Sequence, residues 1–308
     1  MSSNKALQRI LQQSGNEDLL EVWSKEASLS DINTFLLELF RNKTNTASPS
    51  DLLNKYAANT FVQPAAVNPI ALKQLELTLL QIAEASLFPP IQLSPVAPLG
   101  SCSVVATADQ NKIISALRGT EVVADATNLL ALHMCTLLKT RKAYNEEEPL
   151  QFSTTHRHVR AQAFNRPGAL THFSLFCMVT SGRDKGSYSF EKKALLAHLN
   201  VYRQIFKAVF HVDIQVQFNQ RVGYTDSDGL IQRLSEYIRE MMPEIVVTEN
   251  TNKTDNLYYK GLQFTIIVNL HGQEVRIGDG GFVDWSQQLL GNHKERMMIS
   301  AIGLDRML

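Results

Sequence analysis

Paired cysteines, long hydrophobic runs and an excess of either charge are missing from these 308 residues. No stretch approaches the roughly 20 consecutive apolar residues that a membrane span needs. The N-terminus is polar every few positions and lacks the apolar core of a secretion signal. Thirty basic residues balance thirty acidic ones, so no global field draws in a polyanion. The cysteines, Cys102, Cys135 and Cys177, are odd in number, far apart and without the CxxC spacing of zinc or redox sites. They read as buried free thiols in a reducing, cytoplasmic compartment. A Walker loop, a GxSxG elbow and an HExxH motif are also absent. His156 and His158 share a strand face, but the neighbouring Arg157 and Arg160 repel a cation, and this argues against a metal pair.

What is present is the composition of a folded globular chain, 44% hydrophobic and 19% charged. Residues 1–88 read as a helical segment. Leu7, Ile10 and Leu11, then Leu19, Leu20, Val22 and Trp23, recur at helical spacing, and Ser30, Ser48 or Ser50, and Asn68-Pro69 mark helix starts. Seven basic and nine acidic residues in this segment make it a poor arm for phosphate and a better surface for packing or dimer contact.

Residues 89–308 read as mixed α+β. Strand-like runs at 101–107 and 112–117 precede a helical stretch from about 121 to 138, and strands at 151–164 and 171–181 flank the turn Asn165-Arg166-Pro167-Gly168. Phe190, Ala194, Leu195, Leu199, Tyr202, Ile205 and Phe206 mark a long amphipathic helix, and 212–218, a helix at about 228–241 and 244–249 alternate after it. Leu262, Phe264, Ile266, Val268 and Leu270 alternate with polar residues, as a half-buried antiparallel strand requires. Gly280-Gly281 is expected to break the sheet, a short helix from Asp284 to Leu290 to follow, and a last strand at 297–301 to put Arg306 at the start of a helix. Two arginines and a histidine around one hairpin, Arg160, Arg166 and His172, suit a polyphosphate.

The order of these features resembles the class II aminoacyl-tRNA synthetases. The segment from His158 through Arg160, Gln162, Arg166 and His172 to Phe173 resembles their motif 2, and Ala301-Ile302-Gly303-Leu304-Asp305-Arg306 resembles motif 3. Tyr258-Tyr259-Lys260-Gly261, followed by Gly280-Gly281 and Asp284, is similar to the histidyl branch, as is Asp125-Ala126-Thr127 in place of its Arg-Pro-Glu-x-Thr. The resemblance covers about residues 90–308. It implies an antiparallel sheet flanked by helices, and a homodimer whose two-fold contact lies at residues 68–100.

The resemblance also implies a site. Arg160 would hold the α-phosphate of ATP and the substrate carboxylate, and Arg306 would stack on adenine and reach the γ-phosphate. Arg166 would contact the outer phosphates, and Phe173 would form the other face of the adenine sandwich. Gln162, His172, Gly303 and Asp305 would complete the nucleotide site. Asp125 would face the ammonium of an amino acid or similar small carboxylate, with Thr127, Tyr258, Tyr259, Gly280 and Gly281 around it. Gln162 stands where the family has a glutamate that takes adenine or magnesium, Thr254 where the histidyl branch has an arginine, and Phe282 where it has another. The sequence stops at motif 3, which argues against ordinary tRNA aminoacylation. Two readings follow: an adenylate-forming ligase with an acceptor other than tRNA, favoured by Arg160 and Arg306, or a non-catalytic regulatory or ligand-sensing paralogue, favoured by Gln162, Thr254 and Phe282. A dimeric scaffold is the third.

Overall fold

A computed structural model describes residues 4–140, 148–161, 171–250, 258–270 and 272–308. The turn carrying Gln162 and Arg166 and the segment with Thr254 lie outside them.

Five helices come first: α1 (Lys5–Ser14), α2 (Leu19–Lys25), α3 (Leu29–Asn45), α4 (Pro49–Ala58) and α5 (Pro69–Ala85). Their starts follow capping chemistry. Asn4 and Asn68 accept from backbone N–H groups of the first turn, and Ser48 with Asp51 forms a capping box ahead of Pro49. The cap of the third helix lies two residues before the expected Ser30, at Ser28, whose hydroxyl accepts from the Asp31 N–H at 3.1 Å. Helices α1 to α4 bury no residue. By contrast, α5 buries Leu72, Leu75, Leu79 and Ala83 in the main core.

Next come β1 (Val96–Pro98), β2 (Ser115–Ala116) and β3 (Thr120–Val122), a small antiparallel sheet in the order β1-β3-β2. Residues 101–107, expected as a strand, instead form a π-helical turn over Ser101–Val105. The buried Glu121 carboxylate accepts from the Gly100 and Cys102 N–H groups at 2.8 and 2.9 Å, and curls this segment against the β-branched preference of Val104 and Val105. The helix expected from Glu121 begins later, as α6 (Ala126–Thr140). Asp125 caps it by accepting from the Thr127 N–H at 2.9 Å.

The large sheet has seven strands: β4 (Leu150–Val159), β5 (His172–Arg183), β6 (Ile214–Gln220), β7 (Val246–Asn250), β8 (Lys260–Leu270), β9 (Gln273–Val283) and β10 (Glu295–Gly303). Their order is β4-β5-β10-β9-β8-β6-β7, antiparallel throughout except for the β6–β7 pair. The helices between them are α7 (Ser189–Ile205), α8 (Ser227–Met241) and α9 (Trp285–Leu290). One face of the sheet, with Phe176, Met178, Phe218, Phe264, Ile266, Met298 and Ile302, is sealed under α5, α7 and α8. The other packs under α6, α9 and the segment around Leu93, Ala97 and Val105, over Cys177, Val179, Val283, Met297 and Ile299, with Leu175 and Ala301 partly buried beside them.

Two expectations at the sheet change. Gly280 and Gly281 do not break it, because β9 runs straight through them. A Cβ at Gly280 would come 2.5 Å from the Phe264 ring, and one at Gly281 2.8 Å from the Tyr259 ring, so their lack of side chains permits close packing. Nor does a helix begin at Arg306. The chain leaves β10 in a turn, held by the Asp305 carboxylate, which accepts from the Ser174 N–H and faces Arg157. No helix among the described residues is long and apolar enough to cross a membrane.

Candidate functional site

Strand alternation decides what reaches the open face. Residues paired across β4, β5, β10, β9 and β8 point to one side together. The register Phe173 with His158, Leu175 with Gly303, Cys177 with Ala301, Ala301 with Asp279, and Asp279 with Thr265 lays out this floor. Leu175, Ala301, Gly303, Asp279, Thr265 and Gln263 are all half-buried, whereas their sequence neighbours Phe176, Ile302, Phe264 and Ile266 are sealed on the reverse side. The floor residues therefore keep some access to solvent on a face whose reverse is sealed.

At its β4 edge stands Arg160. Its Nε donates to the Ala124 carbonyl at 3.3 Å, and its guanidinium lies 5.2 Å from the centre of the Phe173 ring. Among the described residues its two terminal nitrogens have no hydrogen-bond partner. A half-buried guanidinium tethered on one side, with free donors on the other, is suited to phosphate or carboxylate. The Phe173 ring also stacks on His158, centroids 6.0 Å apart. Burial pushes His158 down to about 3, so the ring is neutral. Its Nε2 accepts from the Ala126 N–H at 2.8 Å, which leaves the proton on a buried Nδ1 with no acceptor among the described residues.

Asp125, at the start of α6, is already well supplied with donors. The Thr127 hydroxyl donates to Oδ1 at 2.7 Å, and the Tyr258 hydroxyl donates to Oδ2 at 2.5 Å. The next residue, Tyr259, donates to Asp279 at 3.2 Å, and the two tyrosine rings meet edge to face at 4.8 Å. Burial raises both phenols well above their usual range, so they remain protonated donors. Burial also raises the Asp279 carboxyl, opposed by its hydrogen bonds from Gln263 and Tyr259.

The residues expected from sequence divide between the two faces. Arg160, Phe173, Asp125, Thr127, Tyr258, Tyr259, Gly281 and Gly303 gather on the open face. The aliphatic stem of Arg306 joins them, its Cδ 4.0 Å from where a Gly303 Cβ would stand. His172, Asp305 and Gly280 do not, since their side-chain positions are on the reverse. There Arg157 donates to His172 Nδ1 at 2.9 Å and to Ser174 Oγ at 3.0 Å, and His172 Nε2 contacts the Gln63 carbonyl at 2.7 Å. Phe282, read as a lost arginine, is a buried core residue.

Three floor residues escaped the sequence reading. Asp279 sits between two glycines of the turn-like motif, Gln263 was one of the polar partners in the alternating strand, and Arg221 follows β6. Gln263 Nε2 donates to Asp279 at 2.8 Å, and Arg221 Nε donates to Gln263 Oε1 at 3.1 Å. The available signal was the period of two: Gln263, Thr265 and Asp279 oppose each other on one side of paired strands. Among the described residues no group of three or more His, Cys, Asp or Glu gathers as for a metal ion.

No protein-family model and no curated protein sequence matches the chain. Solved structures do. The apo histidyl-tRNA synthetase of S. aureus aligns over 79% of this chain and 67% of its own, with TM-score 0.58 and 12% identity. An ATP phosphoribosyltransferase regulatory subunit/histidyl-tRNA synthetase from Bacillus halodurans aligns over 80% of both chains, with TM-score 0.59 and 12% identity. A putative threonyl-tRNA synthetase from Aeropyrum pernix aligns over 75% of this chain and 57% of its own, with TM-score 0.54 and 12% identity. At such identity the likeness is one of fold, and the fold is class II synthetase-like.

Proposed function

We propose that the open face of the sheet binds ATP and a small amino acid or related carboxylate, and that the protein joins them as an adenylate for transfer to an acceptor other than tRNA. The observation that carries this reading is Arg160, a half-buried guanidinium with two terminal nitrogens free among the described residues, on the same floor as Asp125 and the Arg306 stem. In the reaction a carboxylate oxygen attacks the α-phosphorus and pyrophosphate leaves. Arg160 can neutralise the charge shared by the carboxylate and the phosphoryl oxygens during attack. Asp125 orients the substrate ammonium, and Thr127 and Tyr258 fix that carboxylate. Gln162 offers only a neutral acceptor where the family has a glutamate that takes adenine or magnesium, so magnesium would arrive with the nucleotide's own phosphates. The three buried thiols fit a reducing, cytoplasmic setting.

A regulatory or ligand-sensing role is the second reading. It is favoured by Phe282, which fills the core where the histidyl branch has an arginine. The Bacillus halodurans neighbour carries a regulatory-subunit description along with its synthetase one. Pyrophosphate exchange screened across the amino acids separates the two readings. Exchange with one amino acid supports the ligase, and nucleotide or amino-acid binding without exchange supports the sensor. Calorimetry that finds no adenine nucleotide binding, with and without magnesium, overturns the ligase.

A further inference from the structure

The adjacent tyrosines Tyr258 and Tyr259 connect two separate carboxylates. One hydroxyl donates to Asp125 and the other to Asp279, with the rings 4.8 Å apart. A ligand lying along this pair meets Arg160 and Asp125 at the α6 end of the floor and Asp279 farther in, between Ala301 and Thr265. The proposed adenylate chemistry uses the first two groups and leaves Asp279 without a task.

Asp279 is held as an acceptor. Arginine can only donate, so Arg221 fixes Gln263 with its carbonyl oxygen toward the guanidinium and its NH2 toward Asp279. The amide cannot turn over without opposing donor to donor and acceptor to acceptor. Each Asp279 oxygen accepts one such hydrogen bond, from Tyr259 or Gln263, and a carboxylate oxygen has room for a second. Nothing apolar in the strand pattern requires an acid here, because the reverse positions Gly278 and Gly280 serve the packing.

We propose that this floor selects a ligand with two cationic ends: an amino acid whose side chain carries an amine or guanidinium, its α-ammonium at Asp125 and its side-chain cation at Asp279. Substrate choice then rests on Asp279, with Gln263 and Arg221 as positioning residues acting through it. The inference deepens the amino-acid reading above and rests on it for the placement of the α-carboxylate at Arg160.

The test is calorimetric binding to the full chain of matched pairs, L-lysine against L-norleucine and L-arginine against L-citrulline, each with a non-hydrolysable ATP analogue. The charged member of at least one pair is expected to bind at least about 10-fold tighter, since a hydrogen bond to a charged group carries that much discrimination. Asp279→Asn should remove the difference within the pair, whereas Asp125→Asn should weaken both members alike. Equal binding within both pairs, tighter binding of the neutral members, or no binding of any of the four overturns the proposal. If Asp279→Asn does not fold, the wild-type pairs decide by themselves. Pyrophosphate exchange keeps the two questions apart. Selective binding without exchange leaves this inference standing and removes the ligase reading, while exchange driven by a neutral amino acid does the reverse.

Discussion

Arg160 and Arg306 approach the same floor from different strands, and their loss should be read out differently. Arg160→Ala removes a guanidinium free to bind anions and should weaken adenine nucleotide binding by about 1.5–3 kcal/mol, one to two orders of magnitude in affinity measured by calorimetry. Arg306 is exposed beyond Gly303, so Arg306→Ala should cost affinity for both ATP and adenosine if it stacks on the base. Arg160→Ala should spare adenosine. An Arg160→Ala protein that binds ATP like wild type would refute the phosphate assignment. Several of these residues were legible in the sequence because motif order named them. Alternation could have sorted them further: His172 lies one residue from Phe173 and therefore on the opposite face, where it holds the Gln63 carbonyl. Gln263 and Asp279 were missed for a different reason. Their pairing depends on the register between β8 and β9, which carries shifts at Lys260/Gln263 and Ile266/Ile267 that no local pattern announces.

Among the elements, α7 is joined to the sheet by a fully buried polar cluster. His198 contacts Thr180 Oγ1 at 2.9 Å and Ser300 Oγ at 2.7 Å, and Tyr202 donates to the same serine hydroxyl at 2.7 Å. Burial holds His198 down at about 3, below its usual 6.5. Lowering the pH therefore protonates the unfolded chain before the folded one. The stabilisation is complete above pH 6.5 and is lost progressively as pH falls toward 3. Thermal melts between pH 7 and pH 4 should show Tm dropping, and His198→Leu should flatten that slope even though it lowers Tm at neutral pH. Helix caps provide a second test at this scale. Asn68→Ala should lower the stability of the main transition in urea by about 1 kcal/mol, because α5 packs into the core. The equivalent change at Ser48 should leave that transition unmoved, because α4 buries nothing. Proline and asparagine marked the α5 start plainly in sequence. The turn at Ser101–Val105 was illegible because its cause, the Glu121 carboxylate, lies some twenty residues later in the chain.

At the scale of the whole molecule, apolar surface is unevenly distributed. Ile70 and Leu77 on α5, and Leu87 after it, are 70%, 58% and 76% exposed, all within the region that the resemblance assigns to a two-fold contact. We expect sedimentation at micromolar concentration to give a dimer, with Leu77→Glu shifting it toward monomer without changing the helical content; a wild-type monomer would count against this assembly. The glycine pair of β9 has a consequence of another kind. At Gly280 the Phe264 ring and Ser300 press against bare backbone from one side, and at Gly281 the Tyr259 ring does so from the other. Here the sheet is a partition one main chain thick, with the α7 core behind it and the open floor in front. Ser300 touches His198 and Tyr202 on the far side, and Tyr259 touches Asp279 on the near side. A methyl group added at Gly280 would bear on Phe264 and Ser300 and be felt in the hydrophobic core, whereas one added at Gly281 would bear on the Tyr259 ring and be felt on the open floor.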